Sequence, residues 1–374
     1  LENHITHTHG VVIHCALGRG RSVLVMAAYL LSKNPSWSVE QALTKIQGIR
    51  ATANLNKVQL KALKRFHQEG LFKLQTPLWI IANPVSGAGK WPTNKAEIIE
   101  RLSPYFLLHI LETTEHTSAA TLTQQAINQG AKTIIACGGD GTVTEVATEL
   151  VNTDIAMGIL PMGTANALAH VLLGFSTKLI PVGVACDVII TGQVKKIDSA
   201  KCNDALMLLL AGLGFEHKMI ASANREEKDV GGQFAYLQAL WQAVSSNKVS
   251  ILQVSIDDLP EKTIETASLV IANAAPFTTI LAQGGGEPDV NDGLLDITWI
   301  PRQQDIKNNV LSLAELALSG LSEQVNPLQS EHISAKKVVI TAEHELEYVI
   351  DGEVFHANDI HIEIMPKSLS ILTN

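Results

Sequence analysis

Between residues 78 and 193, short apolar runs alternate with stretches whose apolar positions recur every three or four residues. The runs at 78–82, 107–111, 133–137 and 158–160 are too short for buried helices and predict buried strands. Strands alternating with helices predict a parallel α/β sheet covered on both faces. From residue 194 the pattern becomes strand-rich, with runs at 196–198, 205–215, 249–256, 265–272, 294–300, 336–341, 345–350 and 361–365. Helical inserts are expected at 232–246 and 303–318. The last run, 369–372, is expected to return to the first domain. Before residue 72 one apolar run enters a helix at 22–32, and two further helical stretches follow. The predicted segments are therefore 1–72, 76–193 and 194–374.

The most informative residues are Gly138-Gly139-Asp140-Gly141-Thr142-Val143-Thr144-Glu145, directly after the run at 133–137. A buried strand that ends in glycines and passes into a helix is a common place to hold phosphate, because helix N-terminal N–H groups and the helix dipole favour an anion. Asp140 puts a carboxylate in this anion-binding turn, which a divalent cation bridging it to phosphates would reconcile. The same residues also read as an ordinary turn, with Thr142 and Glu145 as a capping box opening the helix. A second unit, Gly158-Ile-Leu-Pro161-Met-Gly163-Thr164-Ala-Asn166, again ends a strand in a Pro/Gly turn and enters a helix at a hydroxyl residue. A third, around Asn83-Pro84-Val-Ser86-Gly87-Ala-Gly89-Lys90, has the same design. It is not a P-loop, since Pro84 replaces the upstream glycine and Trp91 stands where Ser or Thr would hold Mg²⁺.

Taken in order, Asn83-Pro-x-Ser86-Gly87, Gly138-Gly-Asp-Gly-Thr-x-x-Glu145 and Pro161-x-Gly-Thr-x-Asn166 resemble the diacylglycerol kinase catalytic domain. The bacterial soluble lipid kinases are the nearest by pattern, and the sphingosine and ceramide kinases lie further off. The resemblance runs from about residue 76 to the C-terminus. It implies an NAD-kinase-like nucleotide domain with a parallel sheet, a β-sandwich carrying the lipid site, and ATP and Mg²⁺ as cofactors. Asn83, Gly138, Gly139, Asp140, Gly141 and Thr142 would then hold nucleotide phosphates and, through Asp140, the catalytic Mg²⁺. Thr164 would line the nucleotide pocket, and Thr113 resembles another nucleotide-contacting threonine. In Asp351-Gly352-Glu353 the glutamate resembles the family's general base, although Asp-Gly between two strand runs is also a hairpin signal. Asp289, Asp292 and the Leu294 carbonyl resemble a second Mg²⁺ site described as structural in relatives; the same stretch also reads as an Asn-Asp-Gly turn with solvated acids. The expected activity is transfer of the ATP γ-phosphate to a hydroxyl of diacylglycerol or a related lipid. The alternatives are a kinase of a soluble substrate, as NAD kinases and phosphofructokinases are, or a regulatory module without turnover.

The first segment carries other chemistry. His14 and Cys15, five intervening residues, Arg21 and Ser22 set a thiol at a strand end, below a turn of backbone N–H groups and a helix N-terminus. That setting lowers a thiol's pKa, and an arginine can grip two phosphate oxygens at once. The pattern resembles the cysteine-dependent tyrosine and dual-specificity phosphatases, which implies Cys15 as nucleophile and Arg21 as the phosphate-binding cation. That family's general acid lies well upstream of its cysteine, so 1–72 is read as the C-terminal part of an α/β phosphatase domain with little activity in this chain.

Composition narrows the classes. The net charge is −9 over 374 residues and no Lys/Arg run is present, which speaks against a nucleic-acid surface. The four cysteines, 15, 137, 186 and 202, have no metal-ligand spacing and suit a reducing, cytoplasmic compartment. His4, His7 and His9 read as a polar strand edge or loop. The longest apolar stretch, 205–215, is too short to span a bilayer. A lipid kinase is therefore expected to touch its membrane peripherally and transiently, although no basic amphipathic stretch marks a docking surface. Nothing in the sequence sets an oligomeric state.

Overall fold

The computed structural model describes residues 12–16, 18–71, 75–174, 180–214, 250–257, 259–275, 288–301 and 331–373. His4, His7, His9 and both expected helical inserts lie outside the described residues. Among its described residues the N-terminal unit holds three helices, α1 (Arg21–Lys33), α2 (Val39–Ile49) and α3 (Lys57–Gln68). Ser38 with Gln41 and Asn56 with Gln59 form reciprocal capping boxes that fix where α2 and α3 begin. Val23, Ala27, Leu31, Ala42 and Leu63 bury a small core of their own.

Next come β1 (Thr76–Ala82), α4 (Lys90–Leu102), β2 (Phe106–Glu112), α5 (Ala119–Asn128), β3 (Thr133–Gly138), α6 (Asp140–Leu150), β4 (Ala156–Pro161), α7 (Ala167–Leu173) and α8 (Pro181–Thr191). β1 pairs in parallel with β2 and β3, and β3 pairs in parallel with β4. Alternate residues of β1 enter different cores, Leu78, Ile80 and Ala82 on one face and Trp79 and Ile81 on the other. That period of two, with both faces covered, is why the strand reads as continuously apolar.

The remaining strands are β5 (Gln193–Cys202), β6 (Ala205–Met207), β7 (Leu210–Gly214), β8 (Ser250–Ile256), β9 (Lys262–Ala272), β10 (Leu295–Pro301), β11 (Glu331–Ala335), β12 (Lys337–Ile350) and β13 (Glu353–Thr373). The parallel pairing expected of 76–193 holds for β1 to β4, but the sheet as a whole is mixed and mostly antiparallel. All the described strands form one 13-stranded sheet with the path β11-β10-β9-β7-β12-β13-β4-β3-β1-β2. Its pairings from β5 through β12 are antiparallel, as is β13 with β12 and β5. Parallel pairing requires a crossover, which the helices after β1 to β3 supply, whereas the two-residue link between β12 and β13 permits only an antiparallel hairpin. The runs at 336–341 and 345–350 fuse into β12 across a register shift between Thr341 and Leu346. Those at 361–365 and 369–372 fuse into β13, whose Ile371 pairs in parallel with Met157 of β4.

Candidate functional site

The turns after β1, β3 and β4 meet at one sheet edge. Gly163 approaches Gly139 so closely that a Cβ on it would stand 2.6 Å from the Gly139 Cα. Gly87, at φ 56°, lies against Met162, where a Cβ would stand 2.0 Å from the carbonyl oxygen. Hydrogen bonds join the same loops: the Gly139 N–H donates to Ser86 Oγ at 3.2 Å, Lys90 Nζ to the Gly163 carbonyl at 2.8 Å, and Asn83 Nδ2 to Thr142 Oγ1 at 3.2 Å. Gly138 is equally constrained, since a Cβ there would meet the buried Thr142 side chain at 2.4 Å. Three of the expected phosphate-turn residues, Asn83, Gly138 and Thr142, thus have packing duties that account for their identities.

Gly141 differs. It is exposed, and the nearest atom to a Cβ built on it is Glu353 Oε1, 3.8 Å away. Glu353 opens β13 and stands beside the first turn of α6, where among the described residues no side chain caps the helix. An uncapped helix N-terminus presents its first N–H groups to any anion that enters. Thr113 reaches the same edge, its N–H donating to the Ala82 carbonyl at 2.9 Å, and Thr164 is exposed on the loop after β4.

Two expectations about this turn are corrected. The capping box is not formed: α6 starts at Asp140 with Gly139 as its cap, and Glu145 accepts instead from the Ala120 N–H of α5 at 3.1 Å. Nor does a hydroxyl residue open α7. Asn166, at φ 49°, precedes it, and the Asp140 carboxylate accepts from the N–H groups of Asn166 and Ala167 at 2.9 and 2.7 Å. Helix dipole and charge-assisted bonds hold that carboxylate in place. Each oxygen retains a lone pair, so Asp140 still suits a hard cation.

Sequence reasoning passed over Asp351. It occupies the hairpin turn between β12 and β13 at φ 49°, with Gly352 following at φ 102°. Its carboxylate accepts the N–H groups of Leu208, Leu209 and Leu210 at 2.6, 2.9 and 2.9 Å, which is why the run at 205–215 splits into β6 and β7. Burial pushes this carboxyl up to about 6, the three donors pull it down, and the Asp140 charge adds to the upward push. Asp198, which is buried, accepts from Gly293 N–H at 2.7 Å and Lys367 N–H at 2.6 Å. Nothing in the sequence marked it, because β5 also carries Lys195, Lys196, Ser199 and Lys201.

Asp289 and Asp292 are exposed, and each accepts a backbone N–H two residues on, from Asn291 and Leu294. Partial desolvation of this exposed residue, followed by the charges of Asp296, Asp289 and Asp198, raises the Asp292 carboxyl above its usual range, against the pull of the Leu294 N–H. Among the described residues no group of three His, Cys, Asp or Glu side chains assembles a metal site. A cation at this loop would rest on two carboxylates and the Leu294 carbonyl.

Cys15 stands apart from this edge, on the turn that enters α1. Its Sγ lies 3.4 Å from Ser22 Oγ, in an open hollow of about 540 Å³ lined by His14, Cys15, Ala16 and Arg21. Hydrogen bonds from the Ser22 side chain and backbone, aided by Gly18 and Gly20, bring the thiol down to about 6 from its ordinary 9.0. That is the thiolate setting the spacing implied.

Three stretches of the chain match known families. Residues 77–202 match the diacylglycerol kinase catalytic domain, residues 211–373 the YegS C-terminal NAD kinase beta sandwich-like domain, and residues 1–69 the dual specificity phosphatase catalytic domain. An uncharacterized protein of Synechocystis sp. is 37% identical over 306 residues, covering 78% of this chain and 69% of the relative. A probable lipid kinase YegS-like of Enterobacter sp. is 27% identical over 276 residues, covering 71% of this chain and 85% of the relative. A crystal structure of a Bacillus anthracis str. Sterne protein assigned as a diacylglycerol kinase superposes with a TM-score of 0.63 at 25% identity, covering 80% of this chain and 97% of that one.

Proposed function

Because the chain belongs to the YegS and diacylglycerol-kinase superfamily of lipid kinases, with a dual-specificity-phosphatase-like stretch ahead of it, we propose that it transfers the γ-phosphate of ATP to a hydroxyl of diacylglycerol or a related lipid. The observation that carries this reading is the meeting of exposed Gly141, in the uncapped first turn of α6, with the Glu353 carboxylate, whose Oε1 lies 3.8 Å from where a Gly141 Cβ would be. The N–H groups of that helix turn and the loop around Thr164 hold the nucleotide phosphates, with Thr113 beside them. Glu353 accepts the proton of the lipid hydroxyl as it attacks. Asp140 is the carboxylate placed to hold Mg²⁺, which when bound neutralises charge on the phosphate oxygens. Phosphoryl transfer depends on such positioning and charge stabilisation more than on covalent chemistry.

No helix among the described residues is long and apolar enough to cross a membrane. In this reading the lipid is met at a membrane surface, by peripheral contact. Cys15 and Arg21 supply a second chemistry: the lowered thiol attacks a phosphomonoester held by Arg21, the S–P bond forming as the P–O bond to the leaving alcohol breaks, and water protonates that oxygen in place of a general acid, so turnover is slow.

The test is transfer from γ-labelled ATP to a panel of lipids in mixed micelles with Mg²⁺, wild type beside Glu353→Gln. A labelled lipid that disappears in the variant supports the reading. Transfer to NAD or a sugar phosphate, with none to lipid, overturns it.

A further inference from the structure

Arg50 is a charged group the functions above leave unused. It caps the end of α2, and its guanidinium lies against Gly18 in the turn between Cys15 and Arg21. Its Nη1, Nη2 and Cζ stand 2.8, 3.0 and 3.1 Å from where a Cβ on Gly18 would be. The contact is fixed from behind, because the Asn54 N–H donates to the Arg19 carbonyl at 3.0 Å and the Gln59 side chain packs on Gly20. Among the described residues, no carboxylate pairs with Arg19, Arg21 or Arg50.

The charge around this turn is also unlike the rest of the chain. Residues 1–72 carry nine Lys and Arg against three acids, Glu2, Glu40 and Glu69, in a protein of net charge −9. Lys64 pairs with Glu40 at 2.6 Å. A single phosphate dianion needs the turn's N–H groups and one arginine. A second unpaired guanidinium on the same turn is more charge than one phosphate requires.

We propose that the Cys15 turn recognises a ligand with two neighbouring anionic groups, a phosphomonoester held above Cys15 by Arg21 and a second phosphate or phosphodiester on the Arg50 guanidinium. This rests on the phosphate-binding reading of the Cys15 turn and is independent of the kinase reading. Arg50 is here a specificity-determining residue and has no part in bond making. A lipid headgroup with a phosphomonoester beside its phosphodiester and a water-soluble bisphosphate share this chemistry.

The experiment is protection of Cys15 from iodoacetamide in the full chain, with inorganic phosphate and inorganic pyrophosphate as probes. Cys137, Cys186 and Cys202 are buried, so the label reports on Cys15, with Cys15→Ser as the blank. Pyrophosphate is expected to protect at about tenfold lower concentration than phosphate, a modest step in binding free energy. In Arg50→Gln that advantage should vanish while protection by phosphate and transfer from ATP stay as in wild type. Equal protection by the two probes in wild type overturns the proposal, as does a variant that loses both kinds of protection together. No protection of wild type by phosphate would instead remove the phosphate-binding reading beneath it. Vesicles of phosphatidylcholine containing a phosphomonoester lipid form the last arm. Protection beyond that of pyrophosphate assigns the second anion to a headgroup, and protection no better assigns it to a soluble ligand.

Discussion

The Asp140 carboxylate uses one bond from each oxygen to hold the backbone at the start of α7, so removing it has two costs. Asp140→Ala should lower the rate of lipid phosphorylation more than Glu353→Gln does. It should also destabilise the fold by about 1.5–3 kcal/mol, the value of hydrogen bonds to a charged group. Glu353 is exposed, and Glu353→Gln should cost roughly 10²–10⁴-fold in kcat, the usual contribution of a general base, with an unchanged thermal midpoint. Rates and melts measured together separate these effects, and a larger rate loss for Glu353→Gln would undo the assignment. Cys15 gives a pH prediction. Hydrogen bonds that favour its thiolate place the titration at about 6, so alkylation should rise through pH 6 and be level by pH 8. Ser22→Ala, which removes the largest of those bonds, should move the midpoint upward. A midpoint near 9 in wild type would mean that the turn does not stabilise the thiolate in solution.

At the scale of elements, the glycines of the three loops divide into two kinds. Gly87, Gly138 and Gly163 are required because backbone or buried side chain fills the place of a Cβ. Gly141 has no such neighbour and sits in the first turn of α6. Gly141→Ala should therefore fold at least as well as wild type, gaining about 0.5–1 kcal/mol from the stiffer chain. It should still lose phosphoryl transfer, because the methyl group occupies the space facing Glu353. Gly163→Ala should lose both, with roughly 1–3 kcal/mol of overpacking between two backbones that cannot part without opening the site. Urea unfolding beside the kinase assay distinguishes the pair. An active Gly141→Ala variant would show that this space is not where phosphate enters.

Across the whole molecule, β13 joins the two halves. It begins at Glu353 in the hairpin with β12, runs antiparallel along β5, and ends beside β4. The strand that presents Glu353 to α6 thus also closes the α/β sheet. Deleting residues 366–374 should remove cooperative unfolding from both halves, because buried Leu369 and Ile371 leave the core that α6 packs against. A truncated chain that still melts in one sharp transition near the wild-type temperature would contradict this.

The sequence by itself determined the elements whose information is local. Short apolar runs and glycines at strand ends carry their reasons within a few neighbours, so β1 to β4 and the glycine turn between β3 and α6 were legible as elements. So was the Cys15 to Arg21 spacing, since one turn holds both groups. Tertiary structure decided what depends on contact between distant segments. Asp351 was invisible as an anchor because its partners lie some 140 residues earlier. The second duty of Asp140 appears only when β3 and β4 lie side by side and bring Ala167 to it. Arg50 became notable only when the end of α2 met Gly18. The direction of the sheet followed the same rule: periodicity reports which face of a strand is buried, but parallel or antiparallel pairing is set by the connection and the partner, and a hydrophobic pattern encodes neither.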